Sequence, residues 1–315
     1  MDLEKIIKEE RPKISESTLK AYVSNLKKLH RLINGNNEIK SLDFLTDLNK
    51  VLDVLKKNLK YTIKNYLVAG TVILMSNPKK YKSVIEQYTE KIKQLQQNVN
   101  DKYDENEKSD VQKENWVEYG EILKLLRKLK KETKPLLEKD NLTNKEKDLI
   151  QQYLVLYLYS GKAFPVIRND FGEMAIINEG QDMDKSKNYL VIKSKGFPYF
   201  QINEYKTAKY GGEKTIPIKD LELRKLINKW VKIANTGFLL NNITNNTPMS
   251  ANGISKYLNK MFLKQLGKKI STSLLRSIYI THKYNSKMSQ KEKKDLAEDM
   301  GHSKNIAEQV YNKID

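Results

Sequence analysis

Between residues 174 and 218 the chain leaves helical periodicity behind. Four short segments read as strands, Met174–Ile177, Tyr189–Ile192, Tyr199–Tyr205 and Thr215–Ile218. Gly196-Phe197-Pro198 and Tyr210-Gly211-Gly212 punctuate them as turns. Strands this short need helices against them to bury a core, and helical patterns stand on both sides. Trp116–Lys131 and Asn144–Tyr159 precede them, the second behind the N-cap signal Asp140-Asn141-Leu142-Thr143. Leu221–Ala234, Ser250–Leu266, Ser273–Tyr284 and Lys291–Met300 follow, the last ending on Gly301 as a C′ glycine. The chain has no internal repeat. The expected class is mainly α with a small antiparallel sheet enclosed by helices.

Residues 1–97 carry no strand signal and form a helical domain of their own. Ile14, Leu19, Tyr22, Val23, Leu26 and Leu29 recur at helical spacing after the Ser15–Ser17 capping region. Leu42–Leu59, Tyr61–Met75 and Tyr81–Leu95 continue the pattern, with Asn77-Pro78 as a break. The polar stretch 98–114 is almost free of apolar residues and reads as an interdomain linker. Residues 115–315 then make an α+β domain around the strands.

Charge narrows the partner. The net charge is +19, with +8 on residues 1–100 (19 basic, 11 acidic) and +11 on residues 101–315 (39 basic, 28 acidic). Two basic halves suit a polyanion gripped from both sides, and duplex DNA is the natural one. A lysine-rich composition is the competing explanation, because 52 of the 58 basic residues are Lys; the placement of the six Arg is therefore the more informative signal. The absence of cysteine excludes disulfides, thiolate catalysis and Cys-ligated zinc. His30, His282 and His302 are scattered, and no carboxylate cluster is evident, so neither metal nor cofactor is expected. The best apolar run, Tyr66–Met75, is too short to span a membrane, and no secretory signal opens the chain; an intracellular protein is expected.

The chemistry-bearing positions lie in the second half. Met300-Gly301-His302-Ser303 forms a turn that opens a helix, with Tyr311 nine residues after His302, about one helix length away. Arg276 sits on an apolar-looking helix beside Leu275, Ile278 and Tyr279, where a guanidinium needs an anionic partner. Arg168 follows an apolar helix and Phe164-Pro165, where the chain turns towards a cleft. Lys206 stands at the end of a strand entering a turn, with Lys209 and Lys214 as neighbours that can replace it.

In order, spacing and context, Arg168, Lys206, Arg276, His302 and Tyr311 resemble the tyrosine recombinase family. Lys13–Tyr22 is similar to the start of that family's helical core-binding domain. Arg168-Asn-Asp170 and Tyr205-Lys-Thr207 give it the flavour of integrases from DNA viruses and mobile elements. The resemblance implies site-specific cleavage and rejoining of DNA through a 3′-phosphotyrosine, without metal or ATP, by a homo-oligomer (a tetramer) on duplex DNA. It makes Tyr311 the nucleophile, Arg168 and Arg276 a clamp on the non-bridging oxygens, Lys206 the general acid and His302 a phosphate donor or partner to the tyrosine proton. Two departures stand out. Ser273 occupies a position usually held by histidine, or by lysine in type IB topoisomerases, and the sequence stops four residues after Tyr311. A type IB topoisomerase-like relaxation enzyme and a catalytically weakened DNA-binding relative are the alternative readings.

Overall fold

The computed structural model describes residues 1–314, except the side chains of residues 99, 102–104, 209 and 210. The chain divides into two compact units, Met1–Glu105 and Asn106–Asp315.

The first unit is wholly helical among its described residues: α1 (Leu3–Glu10), α2 (Glu16–Asn34), α3 (Leu48–Leu55), α4 (Lys60–Leu74) and α5 (Lys82–Asp104). Ser15 caps α2 by accepting from the Thr18 N–H. One face of α2 then buries Leu19, Val23, Leu26 and Leu29, each contributing about 1.5–3 kcal/mol. The expected helix Leu42–Leu59 is interrupted: a 3₁₀ turn at Asp43–Leu45 precedes α3, because Asp47 accepts from the Lys50 N–H and starts a new helix. Helices α4 and α5 form a close pair. A Cβ at Gly70 would lie 2.8 Å from the Tyr88 ring, so only glycine lets α4 approach the buried tyrosine, whose hydroxyl donates to the Leu45 carbonyl at 2.9 Å.

The polar stretch expected as a linker is largely helical. Helix α5 runs into it as far as Asp104, and α6 (Asp110–Asn115) occupies its end, started by a Ser109/Gln112 capping box. Local capping and side-chain amide pairs such as Gln96–Asn100 support helix where apolar burial is scarce.

The second unit continues with α7 (Tyr119–Thr133) and α8 (Asn144–Tyr159), then β1 (Ala175–Asn178), β2 (Tyr189–Ile192) and β3 (Tyr199–Ile202). A helical turn, α9 (Ala208–Gly211), leads to β4 (Lys214–Pro217) and α10 (Leu221–Ala234). A two-residue pair, β5 (Asn241–Asn242) and β6 (Thr247–Pro248), precedes α11 (Ala251–Leu266), α12 (Thr272–Tyr284), α13 (Gln290–Asp299) and α14 (Lys304–Ile306), and a π-helical turn, Ala307–Tyr311, closes the series. The fold is mainly helical with a small four-stranded sheet, as the periodicity predicts, in the order β1-β2-β3-β4. Strands β2, β3 and β4 are antiparallel, but β1 pairs with β2 in parallel. The third strand ends at Ile202 rather than Tyr205, because the side chain of Asn188 accepts from the Asn203 and Glu204 N–H groups and bends the chain away. Helix α8 is buried from Ile150 to Tyr159, and its Gln151 is satisfied by both backbone groups of Asn241 at 2.8 and 2.9 Å. No helix among the described residues is long and apolar enough to cross a membrane.

Candidate active site

The end of α13 organises the site. Gly301 adopts φ +78°, and a Schellman motif closes the helix: Gly301 N–H donates to Glu298 O at 2.9 Å and His302 N–H to Ala297 O at 3.1 Å. The last carbonyls of a helix carry partial negative charge, and three cations converge on them. Lys214 Nζ donates to Glu298 O at 2.9 Å, Arg276 Nη2 to Met300 O at 3.0 Å, and Arg168 Nη1 to Gly301 O at 2.9 Å.

Arg276 is 1% exposed. Its partners are carbonyls rather than the anionic group expected of it: besides Met300 O, Nη1 donates to Val166 O at 2.7 Å. Its Nε is buried without a partner. Burial lowers the Arg276 pKa, opposed chiefly by interaction with Tyr311, over whose ring the guanidinium carbon sits at 4.8 Å.

His302 is also buried, with neither Nδ1 nor Nε2 hydrogen-bonded. Burial, reinforced by Arg276, Arg168 and Lys214, lowers its pKa to about 3, so the imidazole is neutral. Its ring stacks on Tyr311 with centroids 4.9 Å apart and planes at 29°. The sequence spacing places the two a helix length apart; instead the α-helix widens after Ile306 into the π turn, with Asn312 N–H donating to Ala307 O at 2.8 Å, which changes the face on which Tyr311 falls. Thr281 on α12 steadies that segment, donating to Tyr311 O at 3.5 Å and accepting from the Lys313 N–H at 2.9 Å.

Four of the six sequence-selected residues, Arg168, Arg276, His302 and Tyr311, thus come together. Lys206 and Ser273 do not. Lys206 is exposed in the turn between β3 and α9. Ser273 is exposed in the first turn of α12, and its hydroxyl has no hydrogen-bond partner among the described residues. The side chain of Lys209 lies outside the described residues. The lysine at the cluster is Lys214, which the β3–β4 register sets opposite Ile202.

Asp170 also belongs to the site. It shares a small cleft with Arg168, Tyr205, Lys214 and Asp299. Burial raises its pKa, against the pull of Arg168, Arg276 and Lys214. Its only sequence signal is proximity to Arg168. Asn169, between them, accepts from Thr272 Oγ1 at 2.5 Å and donates to Ser255 at 2.9 Å, tying the Arg168 loop to α12 and α11.

Neither a family model nor a curated protein sequence matches the chain. Among solved structures, the crystal structure of XerA recombinase aligns with 100% of this chain and 94% of its own, at a TM-score of 0.38 and 12% identity.

Proposed function

We propose that this protein is a tyrosine recombinase, cleaving and rejoining duplex DNA through a covalent phosphotyrosine at Tyr311. One observation carries the reading: three buried nitrogens, Arg276 Nε and both ring nitrogens of His302, lack partners, and all belong to side chains packed on the Tyr311 ring. Unpaired buried polar groups each cost about 1–3 kcal/mol, a cost that an incoming oxyanion offsets for the Arg276 Nε–H and for the one N–H of neutral His302. A scissile phosphate is such a group, and the +19 net charge favours its approach.

In the proposed reaction the Tyr311 oxygen attacks phosphorus in line and expels the 5′-oxygen, leaving a 3′-phosphotyrosine that conserves the bond. Arg168 and Arg276, held by the α13 carbonyls, receive charge building on the non-bridging oxygens. Lys214, rather than Lys206, protonates the departing 5′-oxygen. Neutral His302 offers one N–H to the phosphate; the bound anion raises its low pKa, and its second nitrogen then accepts the tyrosine proton. Attack by a 5′-hydroxyl from another duplex completes strand exchange, which requires a multi-protomer synapse; a tetramer satisfies it.

The test is a nicked-duplex suicide substrate incubated with the full chain. Wild type should form an SDS-resistant protein–DNA adduct, and Tyr311→Phe should form none while binding duplex at near wild-type affinity. An adduct with the Phe variant overturns the nucleophile. Strand exchange between two labelled duplexes separates recombination from relaxation: efficient supercoil relaxation by a monomer without exchange moves the reading to a topoisomerase.

A further inference from the structure

A polar cavity of about 290 Å³ is bordered by Ile278, Thr281 and His282 of α12 and by its C-cap Asn285, which helical spacing places on the face away from Arg276. Aromatic rings of Trp116, Tyr119 and His282 border it, His282 stacking on Tyr119 at 4.5 Å and 27°. The Tyr119 hydroxyl is already committed to Ser160 O at 2.7 Å. The cations are Lys108, 4.4 Å from the Trp116 ring centroid, and Lys313; exposed Glu118 is the one lining carboxylate among the described residues.

Lys313 is the telling group. It is only 6% exposed, yet no carboxylate or hydrogen-bond acceptor meets its ammonium among the described residues. Burial lowers its pKa. A lysine this withdrawn from water, with no counter-charge among the described residues, is unfavourable, and Lys313 lines the cavity, where its ammonium keeps its remaining solvent contact. We propose that this cavity is an oxyanion site that takes a phosphate group, with Lys313 as the principal ligand and His282 as the flanking donor. Through Thr281, which bonds the backbone of both Tyr311 and Lys313, an occupied site holds the tyrosine-bearing segment against α12. The site is separate from the proposed scissile-phosphate position and does not depend on strand transfer.

The two tryptophans make the test local. Trp116 borders the cavity, whereas Trp230 is buried elsewhere with its indole N–H on Leu239 O at 2.7 Å. In ¹H–¹⁵N spectra of the full chain at constant ionic strength, inorganic phosphate should shift the Trp116 indole saturably and leave Trp230 in place. Lys313→Met should weaken that response at least about tenfold, Lys313→Arg should retain it, and Arg168→Ala should not change it. A short duplex then separates the sources: a Lys313-dependent shift of Trp116 assigns the group to the DNA backbone, and its absence to free phosphate. An unmoved Trp116, an equal response to chloride, or wild-type binding by a folded Lys313→Met protein overturns the site. Loss of adduct formation by Tyr311→Phe leaves phosphate binding at Trp116 unaffected, so the two readings fail independently.

Discussion

Replacing Gly301 by alanine probes the turn that holds the cations, and its effect has two separable parts. The φ of +78° lies in the left-handed region, where a β-carbon costs about 1–2 kcal/mol. That Cβ would also stand 3.3 Å from Arg168 Nη1, so the guanidinium must give way by a fraction of an ångström. Gly301→Ala should therefore lower the stability of the Asn106–Asp315 unit by about 1–2 kcal/mol, or roughly 2–8 °C in Tm at about 2–4 °C per kcal/mol. Adduct formation should fall about tenfold, since a 1 Å misplacement costs on the order of 100-fold. Gly267→Ala is the internal control: φ is +68° but nothing lies within 4 Å of its Cβ, so it should lose similar stability and keep full cleavage. Gly301→Asn tolerates the left-handed backbone better while keeping the intruding Cβ, and should recover stability without recovering cleavage. Denaturant unfolding and the nicked-substrate assay on the three variants decide the matter. Equal cleavage by Gly301→Ala and Gly267→Ala would refute the claim that Gly301 exists to seat Arg168.

Three further outcomes follow from the same contacts. Lys214→Ala should lose cleavage and regain it selectively on a substrate whose 5′-bridging oxygen is sulfur, because a thiolate leaves without a proton; rescue of Lys206→Ala instead returns the acid to the turn. The folded-state pKa of His302, about 3, lies below its ordinary 6.5, so between those values the unfolded chain binds the extra proton. Stability from this group is therefore complete above about pH 6.5 and is lost as pH falls towards 3; unfolding curves of wild type should steepen against pH in that window relative to His302→Asn, and parallel curves would refute the burial. Tyr88→Phe orphans the Leu45 carbonyl and should cost the first unit about 1–3 kcal/mol in urea unfolding without changing Tyr311 chemistry.

Elements with local start signals were legible in the sequence. Helices α8 and α10 occupy Asn144–Tyr159 and Leu221–Ala234, the segments marked by periodicity, because Thr143 and Asp220 cap them within three residues. The positions of the four strands follow from alternation and turn residues in the same way. Strand direction does not: β1 lies parallel to β2, a pairing that hydropathy does not encode. Helices α5 and α6 within the polar stretch escape an apolar-period reading because capping boxes and amide pairs replace burial there.

The same distinction explains the site. Arg168, Arg276, His302 and Tyr311 are recognisable by residue type and order, whereas the lysine depends on a strand register: Lys214 faces Ile202 across the hairpin, eight positions from Lys206. More fundamentally, the groups that hold the cations are backbone carbonyls, and a carbonyl has no letter in the sequence. Sequence reasoning assigned Arg276 an anionic partner because a buried guanidinium needs compensation; the structure supplies it from the negative end of α13 instead. Carbonyls orient an arginine without neutralising it, so its charge stays available to an arriving phosphate. A carboxylate in the same place would already occupy the donors, and binding would first have to break that pair. The nearby carboxylates, Asp170 and Asp299, both have their pKa raised by burial, which weakens their competition for the cations. The arrangement therefore keeps Arg168 and Arg276 fixed yet electrostatically unspent, the condition that the proposed phosphate-activating role requires.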